Sequence, residues 1–188
     1  MNIVCIGDSL TFGYGVKASE SWVSVLSVKL GMKIINKGVP GNTTTEMKNR
    51  FIKDVINCRP DKVLIMGGTN DLFLKGRVSD VVDNIALMIE HCKKHKIEPI
   101  ILTSLPVNED LAEKTWFTDM DYKKINADLT ELRHLLIQYS SEKSVTCLDI
   151  GTHLLEEGTI RDHFLEDGIH VSEVIHKRVA EIIFESIF

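Results

Sequence analysis

The sequence is poor in several features that mark special classes of protein. No apolar run approaches the roughly 20 residues that a membrane-spanning helix needs. The first residues carry no basic stretch ahead of their short apolar run, which is not typical of a secretory signal peptide. The 22 lysines and arginines are outnumbered by 27 aspartates and glutamates, so no excess of positive charge attracts nucleic acid or anionic lipid. We therefore predict a cytoplasmic protein that has neither nucleic acid nor a membrane among its partners.

Cysteine is scarce as well. Cys5, Cys58, Cys92 and Cys147 lie far apart and form no Cys-x-x-Cys motif, whereas disulfide frameworks belong to smaller, cysteine-dense secreted chains. No histidine and cysteine pair has metal-ligand spacing together with residues that would complete a site. The phosphate-binding patterns GxGxxG and GxxxxGK are absent. We expect reduced thiols, no metal and no cofactor.

The chain does have enough apolar residues for a substantial core. Hydrophobic residues make up 44% of its 188 positions, and a chain of this length buries about 70% of its unfolded surface without covalent staples. No internal repeat, low-complexity tract or Pro/Gly-rich linker divides it. We expect a single domain over residues 1–188.

Strand and helix patterns alternate along the whole chain. Four of five short apolar runs are near-continuous stretches of Val, Ile and Leu, as expected for parallel strands that are buried on both faces. Helical periodicity begins near Ser21, Thr44, Val81, Tyr122 and Val174. The alternation predicts an α/β fold, a three-layer α/β/α sandwich around a five-stranded parallel sheet. The predicted strands are residues 3–6, 33–36, 63–66, 100–103 and 145–150.

Chemically active side chains follow several of these strands. Gly7-Asp8-Ser9-Leu10 comes after the first strand, Gly67-Gly68-Thr69-Asn70-Asp71 after the third, and Asp167-Gly168-Ile169-His170 before the last helix. Ligands of parallel sheets bind beyond the carboxyl ends of the strands. A serine, a histidine, an aspartate and hydrogen-bond donors at that edge are the components of acyl transfer.

At these residues the sequence resembles the SGNH (GDSL-type) hydrolase family. Four blocks match in the family's order: GDSL at 7–10, Asn-x-Gly-x-x-Gly at 36–41, Gly-x-Asn-Asp at 68–71 and Asp-x-x-His at 167–170. A single tetrapeptide is weak support, but four in register from residue 7 to residue 170 are highly specific. The resemblance implies a flavodoxin-like α/β/α fold and esterase, lipase or thioesterase activity without a metal.

The resemblance also implies a role for each matching residue. Ser9 would be the nucleophile, His170 the base and Asp167 its partner. The backbone amides of Ser9 and Gly41 and the side-chain amide of Asn70 would form the oxyanion hole. The chain departs from the family after the histidine, where Val171-Ser172 replaces a common Pro-Asn; Ser172 is itself a good N-cap for the last helix.

Some alternatives stay open at this stage. His163 is the one serious competitor of His170, but its neighbour Asp162 is adjacent in sequence, whereas Asp167 lies three positions before His170 and can reach back to the ring. Four further histidines fall on predicted helices and are expected in solvent: His91, His95, His134 and His176.

The region 106–121 is the longest stretch without clear periodicity after a strand. Trp116 and Phe117 within it could line a substrate pocket, because long loops often form pocket walls. Packing of the loop itself is an equally good interpretation. Asp8 and Asp71 are predicted to be structural, bonding loop amides.

The leading hypothesis is therefore a serine esterase acting through an acyl-enzyme on small acyl esters, with short acyl groups favoured. Acetylated carbohydrates, lysophospholipids and thioesters are candidate substrates. An acyltransferase that uses the same triad on a sugar or alcohol is the alternative, and a non-catalytic flavodoxin-like binding module is a third. We expect a monomer or homodimer.

Overall fold

The computed structural model describes all residues, 1–188, and its centre is one five-stranded sheet. The strands are β1 (Ile3–Gly7), β2 (Ile34–Gly38), β3 (Lys62–Met66), β4 (Glu98–Leu102) and β5 (Thr146–Leu148). Their order across the sheet is β2-β1-β3-β4-β5, and every neighbouring pair is parallel. This is the doubly wound order of flavodoxin-like folds, so the predicted fold class is confirmed.

Nine α-helices connect and cover the strands. None of them is long and apolar enough to cross a membrane. In chain order they are α1 (Ser9–Phe12), α2 (Trp22–Leu30), α3 (Thr44–Asp54), α4 (Thr69–Phe73), α5 (Val78–Lys94), α6 (Glu109–Thr115), α7 (Tyr122–Lys143), α8 (Ile150–Glu156) and α9 (Glu173–Ile187).

The sheet separates two apolar layers. Successive side chains of a strand point to opposite faces, so Val4 and Ile6 join one layer while Ile3 and Cys5 join the other. The first layer packs against α3, α5 and α7, and the second against α2, α8 and α9. Burial on both faces explains why the central strands read as continuous apolar runs rather than as alternating ones.

Local capping chemistry sets the ends of the long helices. Ser21 caps α2 by accepting from the Ser24 amide, and Gly31 ends it in the left-handed conformation at φ 62°. Thr43 and Glu46 form a reciprocal capping box at the start of α3. The helices predicted near residues 21, 44, 81, 122 and 174 are therefore all present.

Three local expectations need correction. The stretch 106–121 is not irregular throughout, because Asn108 caps the short helix α6 within it. The last strand ends at Leu148 rather than at residue 150, because Asp149 accepts from the Thr152 amide and starts α8. Ser172 precedes α9 as predicted, but its side chain makes no capping hydrogen bond and its buried Oγ has no hydrogen-bond partner.

The carboxyl ends of β2, β1 and β3, which are neighbours in the sheet, are level with one another. Gly7 pairs with Gly38 on one side and with Met66 on the other. After β2 the chain crosses to the other side of β1 to form β3, so the direction in which strands are added to the sheet reverses there. In open parallel sheets this reversal opens a crevice at the strand ends. Gly38 must be glycine here, because a Cβ would lie 2.1 Å from the Phe12 backbone nitrogen.

Candidate active site

Ser9 is held in a tight turn at the end of β1. Asp8 ends the strand region as the N-cap of α1, and its Oδ1 accepts a hydrogen bond of 3.0 Å from the Leu10 amide. Gly13 closes the single turn in the left-handed conformation at φ 90°, donating to the Ser9 carbonyl. The turn therefore presents the Ser9 side chain, which is only partly buried, at the edge of the sheet.

A continuous hydrogen-bonded chain links three of the predicted site residues. His170 Nε2 lies 2.9 Å from Ser9 Oγ, and His170 Nδ1 lies 2.6 Å from Asp167 Oδ2. Ser9 and His170 are 161 positions apart in sequence, so only the folded sheet brings them together. This is the arrangement of a nucleophile, its base and the carboxylate that orients the base.

Asp167 orients the imidazole and also shapes its loop. Its Oδ1 accepts hydrogen bonds of 2.9 Å from the backbone amides of Ile169 and His170, while its Oδ2 is hydrogen-bonded to the ring nitrogen Nδ1 of His170. Burial opposes ionisation of Asp167, but the hydrogen bonds from the His170 side chain and from these two amides outweigh it. The pKa of Asp167 therefore lies below its ordinary value, and the carboxylate is ionised at neutral pH.

His163 does not take the place of His170. Its backbone is engaged with Ile160 and Ser172, and it is His170 whose ring nitrogen bonds the Ser9 hydroxyl. The adjacent Asp162 is exposed. Asp167, three positions before His170, is thus the carboxylate that reaches a histidine ring, because the turn at Gly168 (φ 68°) folds the chain back.

The predicted oxyanion donors lie on two neighbouring loops. Asn70 belongs to α4, directly after β3, and its Nδ2 donates a hydrogen bond of 3.0 Å to the Asn42 carbonyl. That bond joins the loop of Gly41 to the end of β3. An amide nitrogen carries two hydrogens, so a second one is left for a ligand. Gly41 has φ 79° and open space around its Cα.

Asp71, next to Asn70, fixes α4 to the end of the loop that carries Gly41 by hydrogen bonds to Thr44. Its two carboxylate oxygens accept from the Thr44 amide at 2.9 Å and from the Thr44 hydroxyl at 2.6 Å. Asn84 on α5 donates to the same hydroxyl. Burial raises the pKa of Asp71 even though the bonds from Thr44 act against it. Asp71 therefore ties α4 to the start of α3, as its interpretation as a structural residue predicts.

Asp8 is the second carboxylate beneath the site and is 2% exposed. Burial raises its pKa to about 6, although the hydrogen bond from Leu10 and the nearby positive charge of a protonated His170 favour ionisation. The sequence interpretation of Asp8 as a loop-amide acceptor is confirmed by the Leu10 contact. Its electrostatic link to the imidazole could not be read from the sequence.

Trp116 and Phe117 lie near the site in different ways. The Trp116 ring is 6.1 Å from the His170 ring, and Phe117 packs edge-on against Trp116 at 5.7 Å. Phe117 also lines a cavity of about 480 Å³, whose apolar wall includes Leu72 and Phe73 from the helix that carries Asn70. Another cavity, of about 520 Å³, is lined by residues of α7 and α8 and by none of the predicted site residues.

Two features of the site's surroundings were not anticipated. Tyr14 lies against His170 with ring centroids 4.4 Å apart, and nothing in its sequence context indicates where its ring points. His176, predicted to be in solvent, is 1% exposed, so that prediction was wrong. Although Lys177 and Arg178 follow it, His176 faces α2 and accepts from the Trp22 amide at 3.3 Å.

Comparison with known proteins places these features in context. The model of the GDSL-like lipase/acylhydrolase family matches residues 5–178. A Bacillus subtilis protein named as an uncharacterized lipoprotein, YqeF, is 34% identical over 57% of this chain and 50% of its own length. An arylesterase of Vibrio mimicus is 27% identical over 80% of this chain and 78% of its own. This chain thus spans only about half the length of the lipoprotein.

A solved structure agrees over almost the whole chain. A protein from Desulfitobacterium hafniense, assigned to the G-D-S-L family of lipolytic proteins, superposes with a TM-score of 0.83, 25% identity and 98% coverage of each chain. The shared architecture includes the sheet whose edge carries Ser9. The cytoplasmic location inferred from the sequence stays a prediction.

Proposed function

Because the chain belongs to the GDSL-like lipase/acylhydrolase family, we propose that it is a serine esterase that hydrolyses small acyl esters through an acyl-enzyme. The observation that carries this proposal is the chain of contacts from Ser9 Oγ through His170 to Asp167, 2.9 Å and 2.6 Å long. These contacts support the proposal, because acyl transfer needs a nucleophile within hydrogen-bond reach of a base and a group that orients the base.

The reaction begins when Ser9 Oγ attacks the acyl carbonyl carbon. The hydroxyl proton moves to His170 Nε2, and the ionised Asp167 stabilises the imidazolium that forms. The carbonyl oxygen becomes an oxyanion, which the backbone amides of Ser9 and Gly41 and the side-chain amide of Asn70 receive. Collapse of this intermediate breaks the ester bond, and the imidazolium returns the proton to the leaving alcohol.

Water completes the cycle by the same route. His170 takes a proton from water as the water oxygen attacks the acyl-enzyme. When the second intermediate collapses to the acid, the bond to Ser9 Oγ breaks and the imidazolium returns its proton to that oxygen. No other group has to change its charge, because Asp167 stays ionised throughout.

The acyl group has an apolar wall to lie against. Phe117 and the Leu72–Phe73 end of α4 line the same cavity. Phe117 follows Trp116, whose ring contacts His170, and Leu72 and Phe73 follow Asn70 on α4. We assign Trp116 and Phe117 to the substrate side on this basis.

The test is the Ser9→Ala variant assayed with p-nitrophenyl esters of increasing chain length. Removal of the nucleophile is expected to lower kcat by at least about 10³-fold, while the thermal midpoint and circular dichroism stay those of the parent. The parent's activity along the ester series reports the acyl length that the wall accepts.

Ser141→Ala is the matched control, because Ser141 is an exposed serine on α7, far from the sheet edge. It should keep full activity. Hydrolysis by a folded Ser9→Ala protein at the parent's rate would rule the proposal out.

A further inference from the structure

The imidazole of His170 contacts two aromatic rings that come from distant parts of the chain. Tyr14 follows α1, and its ring centroid is 4.4 Å from that of His170 at an interplanar angle of 41°. Trp116 follows α6 and meets the imidazole nearly edge-on, at 6.1 Å and 70°. The Tyr14 contact is at the short limit for ring pairs, which range from about 4.5 to 7 Å.

The backbone around Tyr14 is built to hold the ring there. Its amide donates to the Ser9 carbonyl at 3.0 Å, so the tyrosine is tied to the nucleophile's own turn. Gly13 and Gly15 on either side have φ 90° and φ 84°, conformations that other residues rarely adopt. A Cβ on Gly15 would lie 2.2 Å from Leu165 Cδ1, so the glycine lets this segment approach the histidine loop closely.

Trp116 is held in place by separate hydrogen bonds. The Thr115 hydroxyl donates to the Glu166 carbonyl at 2.6 Å, and the Asn108 amide donates to the Gly168 carbonyl at 2.7 Å. The segment that carries Trp116 is thus attached to the loop that carries His170.

The two rings keep water away from the imidazole. Tyr14 and Trp116 are 46% and 40% exposed, whereas His170, which both rings contact, is only 5% exposed. One edge of the imidazole is left for Ser9 and the other for Asp167.

We propose that Tyr14 is a positioning residue of the esterase, whose ring stabilises the imidazolium that forms when the Ser9 proton reaches His170. This inference rests on the proposed function. An aromatic ring attracts a cation within about 6 Å of its centroid and has little preference for the neutral form. The contact is therefore stronger in the transition state than in the resting enzyme, which is the condition for raising kcat.

Other charged groups around the imidazole set the background for this effect. Asp167 is bonded to Nδ1, Asp8 lies below it with a mutual electrostatic influence, and the neutral His176 lies behind it on α9. None of these three residues is altered by a substitution of Tyr14, so the comparison of Tyr14→Leu with Tyr14→Phe isolates the contribution of the aromatic face.

The experiment compares Tyr14→Leu with Tyr14→Phe. Leucine keeps an apolar cover but has no aromatic face, whereas phenylalanine keeps the face and loses only the hydroxyl. In Tyr14→Leu we expect kcat to fall about 3- to 10-fold with little change in KM, and the acidic limb of the kcat/KM profile to move about half to one pH unit lower. Tyr14→Phe should restore both. Phe188→Leu, which alters a partly exposed aromatic at the C-terminal end of α9, is the matched control and should match the parent.

A second readout separates this inference from the proposed function. The titration of the His170 ring, followed by NMR in protein carrying Ser9→Ala with and without Tyr14→Leu, requires no activity, and its midpoint should also move lower. An inactive parent would refute the esterase proposal but leave this measurement valid. An unchanged midpoint, a rise in KM alone, or equal losses in the leucine and phenylalanine variants would overturn the role of the ring.

Discussion

Asp8 and Asp167 are two carboxylates near one imidazole, and their surroundings shift their acidities in opposite directions. Asp167 accepts three hydrogen bonds, which hold its pKa below the ordinary value in spite of burial. Asp8 accepts one from Leu10 and is nearly inaccessible, so burial prevails and its pKa rises to about 6. The deeper burial of Asp8 and its smaller number of hydrogen-bond donors together account for the difference.

The raised pKa means that ionised Asp8 destabilises the fold. Protonated Asp8 contributes stability that is fully present below the ordinary pKa near 3.8 and is lost as pH rises through about 6. Asp8→Asn keeps an oxygen for the Leu10 amide and cannot ionise. We expect its free energy of unfolding to exceed the parent's by about 1–3 kcal/mol at pH 8 and to approach the parent's near pH 4, as measured by urea denaturation.

The same substitution should lower esterase activity, because it removes a negative charge that favours the imidazolium. Asp83→Asn on α5 is the matched control, since Asp83 is exposed and its removal should leave the pH dependence unchanged. If the free energies of unfolding of Asp8→Asn and the parent changed in parallel with pH, ionisation of Asp8 would not destabilise the fold.

Asn70 is the side-chain donor of the proposed oxyanion hole. Its replacement by alanine should lower kcat by about 10²- to 10³-fold, since loss of one such donor costs about 3–4 kcal/mol of transition-state stabilisation. KM should change little, because the donor acts mainly on charge that develops during the reaction. Steady-state kinetics on one ester measures both constants.

Asn57→Ala provides the comparison for that experiment, because Asn57 is exposed near the opposite end of the sheet. A loss in Asn70→Ala that appeared only in KM would assign Asn70 to substrate binding or to the tether on Asn42.

At the scale of elements, the pairing of α2 with α9 contains a buried titratable group. His176 on α9 accepts from the Trp22 amide at the start of α2, and its Nε2 has no hydrogen-bond partner. Burial, together with the nearby charge of His170, lowers its pKa to about 4. The two helices therefore pack around a neutral imidazole.

Acidification should loosen this pairing. Stability from neutral His176 is present above the ordinary pKa of 6.5 and is lost as pH falls through about 4, because the unfolded chain binds the proton first. His176→Gln does not titrate, so between pH 6.5 and pH 4 the parent should lose up to about 3 kcal/mol more than the variant. Thermal or urea unfolding across that pH range is the measurement.

His95→Gln serves as the control, because His95 is an exposed histidine at the end of α5. Its curve should run parallel to the parent's. If His176→Gln also ran parallel, the buried imidazole would not be coupled to folding.

At the scale of the whole molecule, the site exists only because strand ends meet. Ser9 follows β1, Gly41 follows β2, Asn70 follows β3, and the loop with Asp167 and His170 comes from nearly the other end of the chain. The register that places Gly7 beside Gly38 and Met66 brings the first three together. Topology, more than any local segment, therefore assembles the proposed chemistry.

How far the sequence predicted this assembly depended on the strength of local signals. The strands and the five longer helices were predicted because apolar periodicity is strong over many residues. The short helices α1, α4, α6 and α8 were not, because four to seven residues show little periodicity and are stabilised by single caps such as Asp8 and Asp149. The distances within the predicted triad agree with an active arrangement, while the catalytic roles stay predictions.

The order of strands and helices, the family and the residues proposed for the chemistry were determined by the sequence itself, because periodicity and four short motifs are local properties. Only the tertiary structure decided which side chains surround them. It buried His176, raised the pKa of Asp8 and laid Tyr14 against His170. Each of these three features depends on contacts between distant segments and on the exclusion of water. These two conditions are not encoded in any single stretch of the chain.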